Sequence, residues 1–154
     1  VEAKGDIDHP AMDKIRPYLV ICRKHEDVWF SVTIGPESSN ARWKGPVWAK
    51  SAIGEVVTEH LVIPGLDRFT FGAYDKVSQE GGARIDHIYS HIPKKIGGPP
   101  MPVTYQRLLL ACNFPNGEPA MAALCAGTAK VSIAGLDEKD IPPAPAETLM
   151  ESEI

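Results

Sequence analysis

Paired chain breakers constrain this sequence more than any other feature. Gly35-Pro36, Gly45-Pro46, Pro64-Gly65, Gly81-Gly82, Gly97-Gly98-Pro99-Pro100 and Pro115-Asn116-Gly117 cut it into short segments. Proline fixes φ, removes a backbone donor and turns the preceding residue away from helix. Glycine admits the positive φ that tight turns need. With 13 glycines and 14 prolines among 154 residues, the chain must be rich in turns. No apolar stretch approaches the roughly 18 residues of a membrane-spanning helix. What the breakers leave is short strands and one helix of moderate length.

The segments between breakers declare their type by period. Residues 10–15 form a short amphipathic stretch that ends at Pro17. Residues 17–23 hold the apolar run Tyr18-Leu19-Val20-Ile21-Cys22 and predict a strand. Lys24-His25-Glu26-Asp27 reads as a polar turn, and 27–34, rich in aromatic and β-branched residues, as a second strand pairing with the first. Between 37 and 63 the pattern predicts one or two short helices, with caps offered by Ser38-Ser39-Asn40 and a break at Gly45-Pro46. Val47 to Val57 fits either a helix containing Gly54 or a helix followed by an extended piece. Trp43 and Trp48 are placed to cover a sheet. Residues 67–79 predict the main helix, with Asp67 as its N-cap and Gly81-Gly82 as its stop. Phe69, Ala73, Tyr74 and Val77 share one face by their three- and four-residue spacing. Strands follow at 84–92, 103–113 and 119–131, with a loop over 93–102 and an Asn-Gly turn between the last two.

This order predicts an α+β fold: a five-stranded antiparallel sheet with helices inserted between strands 2 and 3. One domain over 10–135 suits the length. Residues 1–9 read as a leader, and 136–154 as an acidic, Pro-rich tail or linker. Val1 to Asp8 is charged and lacks the apolar region of a signal peptide. The first residue is Val, not Met, which reads as a processed or excised piece of a longer chain.

Charge narrows the partners. From Asp137 onward there are six acidic residues and one lysine, whereas the rest of the chain is nearly neutral. No basic stripe is present to hold nucleic-acid phosphates. Lys94-Lys95 is a pair on a loop, not a patch. The cysteines Cys22, Cys112 and Cys125 are odd in number and widely spaced. They form neither a disulfide framework nor a zinc knuckle, and their apolar settings predict buried, reduced thiols in a cytoplasmic protein.

Few residues stand in a pattern that carries chemistry. His87 and His91 are four apart, a metal-ligand spacing on a helix. On a strand it puts them about 13 Å apart, unsuitable for one ion. Cys112 and Cys125 flank the last hairpin without a cationic neighbour to lower a thiol pKa. Ser38, Ser39 and Ser51 are outside any nucleophile-elbow pattern. Gly81-Gly82 and Gly97-Gly98 do not follow strand-then-helix order, so they are turn residues and not phosphate cradles. Asp75 and Asp86 show no partner for paired-carboxylate chemistry. Trp29, Trp43, Trp48, Tyr74 and Tyr89 are either core or the lining of a pocket between sheet and helices. No catalytic residue and no metal site is assigned, and no cofactor is indicated.

Three stretches carry a resemblance to a family. Val28-Trp29-Phe30-Ser31-Val32-Thr33-Ile34-Gly35 resembles the second strand of a PAS-like family of small, often single-domain proteins found mainly in alphaproteobacteria. Ser51-Ala52-Ile53-Gly54-Glu55-Val56 is similar to its small-residue-then-Gly segment before the main helix. Tyr105-Gln106-Arg107-Leu108-Leu109-Leu110, with Pro115-Asn116-Gly117, is similar to its late hairpin. The resemblance covers residues 10–128. The sequence departs from it at Ala111-Cys112, where the family usually has proline, and in the longer 93–102 loop. The resemblance implies a sensory or regulatory module that binds a small molecule or a protein partner. It supplies no catalytic residues. Some PAS domains hold haem, for which His87 or His91 would be the axial ligand.

The expected work is therefore signal transduction by population shift. The expected ligand-binding residues are Phe69, Ala73 and Tyr74 from the helix and His87 and Tyr89 from the third strand, if their face is the inner one. The alternatives are a structural dimerisation or interaction domain, active as a homodimer and without ligand, and a small α+β enzyme. Neither nucleic acid nor a membrane is expected as a partner.

Overall fold

The computed structural model describes residues 5–57, 66–93, 97–128, 130–135, 137, 139 and 141, with the side chains of 66–69 outside that set. Five strands form one antiparallel sheet: β1 Val20–His25, β2 Val28–Ile34, β3 Ala83–Pro93, β4 Pro100–Asn113 and β5 Pro119–Gly127. Their order across the sheet is β2-β1-β5-β4-β3. Among the described residues three helices, α1 Ser39–Lys44, α2 Pro46–Ser51 and α3 Leu66–Glu80, fall between β2 and β3 in the chain. The α+β class and the five antiparallel strands are as the sequence predicts.

Several boundaries differ for local reasons. The first strand begins at Val20, not at residue 17, because Arg16–Tyr18 close a 3-10 turn around Pro17. It also runs on through Lys24 and His25, which pair with Trp29 and Val28 and leave a two-residue turn at Glu26-Asp27. Such turns need positive φ, and Glu26 takes it at 54°. The fifth strand stops at Gly127, opposite Tyr105, and not at 131. The third and fourth strands reach Pro93 and Pro100, so Pro93 and residues 100–102 of the expected 93–102 loop are ladder. Lys94 and Lys95 lie outside the described residues.

The helical stretch is broken where glycine and proline require. Ser38 Oγ caps α1 by accepting from the Ala41 amide at 3.2 Å. Gly45, at φ 91°, turns the chain between α1 and α2, and Pro46 opens the second helix. There is no helix across Gly54. Instead an extended piece follows α2: Val56 bridges to Phe30, and the Val57 amide donates to the Trp29 carbonyl at 2.9 Å. Asp67 lies inside α3 and not at its N-cap, since the helix starts at Leu66. Gly81 ends that helix at φ 73°, its amide donating to the Val77 carbonyl.

Two apolar layers cover the sheet. On the inner face, Val20, Cys22, Trp29, Ile34, Leu109, Met121 and Ala123 pack under Ala41, Ala49, Ala52, Ala73, Tyr74 and Val77 of the helical region. On the outer face, Ile7 and Leu19 cover Ile21, Cys112, Ala120 and Ala122. Ile7 belongs to the stretch read as a leader; its neighbours Gly5 and Asp6 run beside Asn113, whose amide donates to the Gly5 carbonyl at 2.7 Å. β5 is the middle strand, and its alanines let both layers approach closely. Burial of each large apolar side chain contributes about 1.5–3 kcal/mol.

Candidate functional site

The inner face is incompletely filled. Between the sheet and the helices lies a partly enclosed cavity of about 120 Å³. Val20, Ile34, Val103 and Ala123 contribute apolar wall from the sheet, Trp43 and Trp48 from α1 and α2, and Thr70 and Tyr74 from α3. Polar groups interrupt this wall: Ser31, Ser38, Ser39, Lys44, Tyr105, Arg107 and Cys125 also line it. An apolar enclosure with a few polar groups is the usual make-up of a small-ligand pocket.

Alternation along the strands decides which groups reach it. On β4, Val103, Tyr105, Arg107 and Leu109 point inward, so a charged residue sits on a buried face. Arg107 is 4% exposed. Its guanidinium donates to Asp86 Oδ2 from Nη2 at 2.8 Å and from Nε at 3.2 Å. Asp86, its register partner on β3, also accepts from Arg84 Nε at 2.6 Å. Burial would raise the Asp86 pKa, but the bonds from Arg107 and then Arg84 outweigh it and hold the carboxyl below its usual value. The Arg107 guanidinium also lies 5.8 Å from the Tyr74 ring centre.

Tyr74 anchors the helix side. Its ring meets Trp29 edge-on at 5.6 Å. Burial pushes the Cys22 thiol, in the same core cluster, up to about 12. Burial likewise raises Cys125 to about 11. Neither is a ready thiolate at neutral pH. α1 is tied to the sheet where Ser39 Oγ donates to the Cys125 carbonyl. Lys44, one turn on from Asn40, donates from Nζ to the Pro93 carbonyl at 3.1 Å.

The residues expected at the site divide. Tyr74 lines the cavity; Ala73 is buried beside it in the same core. The side chain of Phe69 lies outside the described residues. His87 and Tyr89 do not join them. Asp86, Ile88 and Ile92 take the inner face of β3, and the odd-numbered residues from Ala83 to His91 stand exposed on the outer one. There His87 Nδ1 accepts from the Ser132 amide at 2.9 Å. The segment after β5 thus crosses the outer face, and Gln106 holds it through the Lys130 carbonyl at 3.0 Å. Tyr89 meets the His91 ring at 5.4 Å.

Other expected neighbourhoods change as well. Cys112 packs on the outer face and Cys125 on the inner, so the two thiols do not converge. Asp75 is partnered: it accepts from Lys24 Nζ at 2.8 Å and Trp29 Nε1 at 3.0 Å. Sequence reasoning missed Lys44, Arg107, Tyr105 and Cys125 as lining residues. Arg107 carried a usable signal, a cation in register with inward-facing Leu109 and Val103. Among the described residues no group of three or more His, Cys, Asp or Glu side chains is placed to hold a metal ion. Among them, too, no helix is long and apolar enough to cross a membrane.

No protein-family model matches the chain. No curated protein matches it either.

Proposed function

We propose that this chain is a PAS-like sensory or regulatory module that binds a small molecule between its helices and the inner face of its sheet. The carrying observation is the cavity itself, open within a core whose remaining inner-face residues are closely packed. The element order among the described residues, two strands, three helices and three strands, supports the family reading. Ligand binding acts here by favouring one packing of α1 to α3 on the sheet over another. The three cysteines are free, which suits a reducing, cytoplasmic setting. The chain is read as a binder and not as an enzyme; Cys125, the cysteine among the described lining residues, is held as a thiol.

The test is a chemical-shift screen of small apolar fragments against the wild type and an Ala123→Leu variant, which fills the cavity from β5. Binders should shift the Val20, Ser31, Tyr74 and Cys125 amides, and the variant should lose them. Binders that map elsewhere, or none at all, would overturn the reading.

A second reading has its own observation. Ile85 is 67% exposed and Tyr89 37%, both on the outer face of β3. They are the kind of side chains through which two copies could associate, making the chain a dimerisation domain. Light scattering should then show a dimer that Ile85→Glu dissociates.

A further inference from the structure

The cavity's charges are unequal. Two cationic side chains line it, Lys44 and Arg107, and no Asp or Glu is among its described lining residues. Arg107 is paired with Asp86, which also accepts from Arg84. Lys44 has no carboxylate within ion-pair distance among the described residues. Of its three ammonium donors, one meets the Pro93 carbonyl. The ammonium also stands 5.5 Å from the Trp48 ring centre. Burial holds its pKa below the ordinary lysine value.

A half-buried cation beside an apolar wall gains most from an anion. Coulomb attraction strengthens where water is thin, and a charge-assisted hydrogen bond is about twice as strong as a neutral one. A cationic guest would instead meet the Lys44 ammonium. The volume restricts the body of the guest, since an apolar cavity of about 150 Å³ takes a single benzene ring. Trp43, Trp48 and Tyr74 offer aromatic surface to such a ring.

We propose that the cavity takes a small aromatic acid, its carboxylate held by the Lys44 ammonium and its ring set against Trp43, Trp48 and Tyr74. This rests on the cavity being the ligand site and adds the ligand's chemical class. A matched series tests it: benzoate, benzamide and benzylamine share one ring and differ in charge. Each is titrated against the full chain while the amide shifts of Ser39, Val103 and Cys125 are followed. The same titrations use Lys44→Met, which keeps an apolar stem and removes the charge; its fold is checked by its unliganded spectrum. Benzoate should bind at least about tenfold tighter than benzamide, one charge-assisted hydrogen bond being sufficient for that ratio. Benzylamine should bind most weakly, and Lys44→Met should erase the benzoate preference. Equal binding of benzoate and benzamide, or a preference that survives Lys44→Met, would overturn the acid proposal while leaving the cavity as the site. If none of the three shifts the cavity amides, the proposal fails and the small-molecule reading loses its support with it.

Discussion

Asp86 sits between two guanidinium groups on the buried face of the sheet, and its ionisation is part of the fold. Removing one partner of a buried pair leaves the other charge uncompensated, at a cost of about 3–5 kcal/mol. Asp86→Ala should therefore lower stability by about 3 kcal/mol in urea denaturation at pH 7. The same bonds give a pH signature. The folded-state pKa lies below the unfolded value. The contribution is thus complete above the ordinary aspartate pKa of about 3.9 and lost as pH falls through the lower folded value. Below pH 4 the gap between wild type and Asp86→Asn should narrow. The cysteines make a second residue-scale prediction. Burial raises all three thiols. Iodoacetamide should leave Cys22, Cys112 and Cys125 unmodified in the native protein and label all three in denaturant, as read by mass spectrometry.

Among the elements, β2 and α3 each contain or abut a glycine, for opposite reasons. Gly35 follows β2, and its amide donates to the Leu19 carbonyl at 2.8 Å. A methyl group there would stand 2.1 Å from the Pro17 carbonyl oxygen, a backbone atom that cannot step aside alone. Gly35→Ala should cost about 2–4 kcal/mol. Gly72 lies within α3, where an added methyl group would meet nothing within 4 Å among the described residues and the backbone has no positive φ. Alanine there removes the helix penalty of glycine, so Gly72→Ala should stabilise by about 0.5–1 kcal/mol. Thermal denaturation of the two variants should move in opposite directions.

For the whole molecule, the question is where the folded unit ends. Beyond β5 the chain lies on the outer face: Val131 is buried and Ser132 donates to His87. The stretch from Asp137 onward is acidic and proline-rich, with few apolar side chains to bury. Deleting 137–154 should move the melting temperature by no more than about 2 °C, at most about 1 kcal/mol at this size. Deleting from 130 onward should lower it by about 5 °C, through loss of the Val131 burial and the two outer-face hydrogen bonds.

What the sequence by itself determined was the punctuation and the period. Gly45-Pro46, Gly81-Gly82 and Asn116-Gly117 bound elements because their backbone constraints are local. Ala73, Tyr74 and Val77 share a buried face because helical spacing is local too. The tertiary structure alone decided which side of β3 faces the helices. Alternation separates His87 and Tyr89 from Asp86 and Ile88, but both sets hold polar and apolar residues, so neither side is marked as inner. The choice is made by partners far along the chain, with Arg107 opposite Asp86 and the 130–132 segment opposite His87. Lys44 and Arg107 reach one cavity for the same reason: a short helix and a late strand meet only when the sheet is assembled.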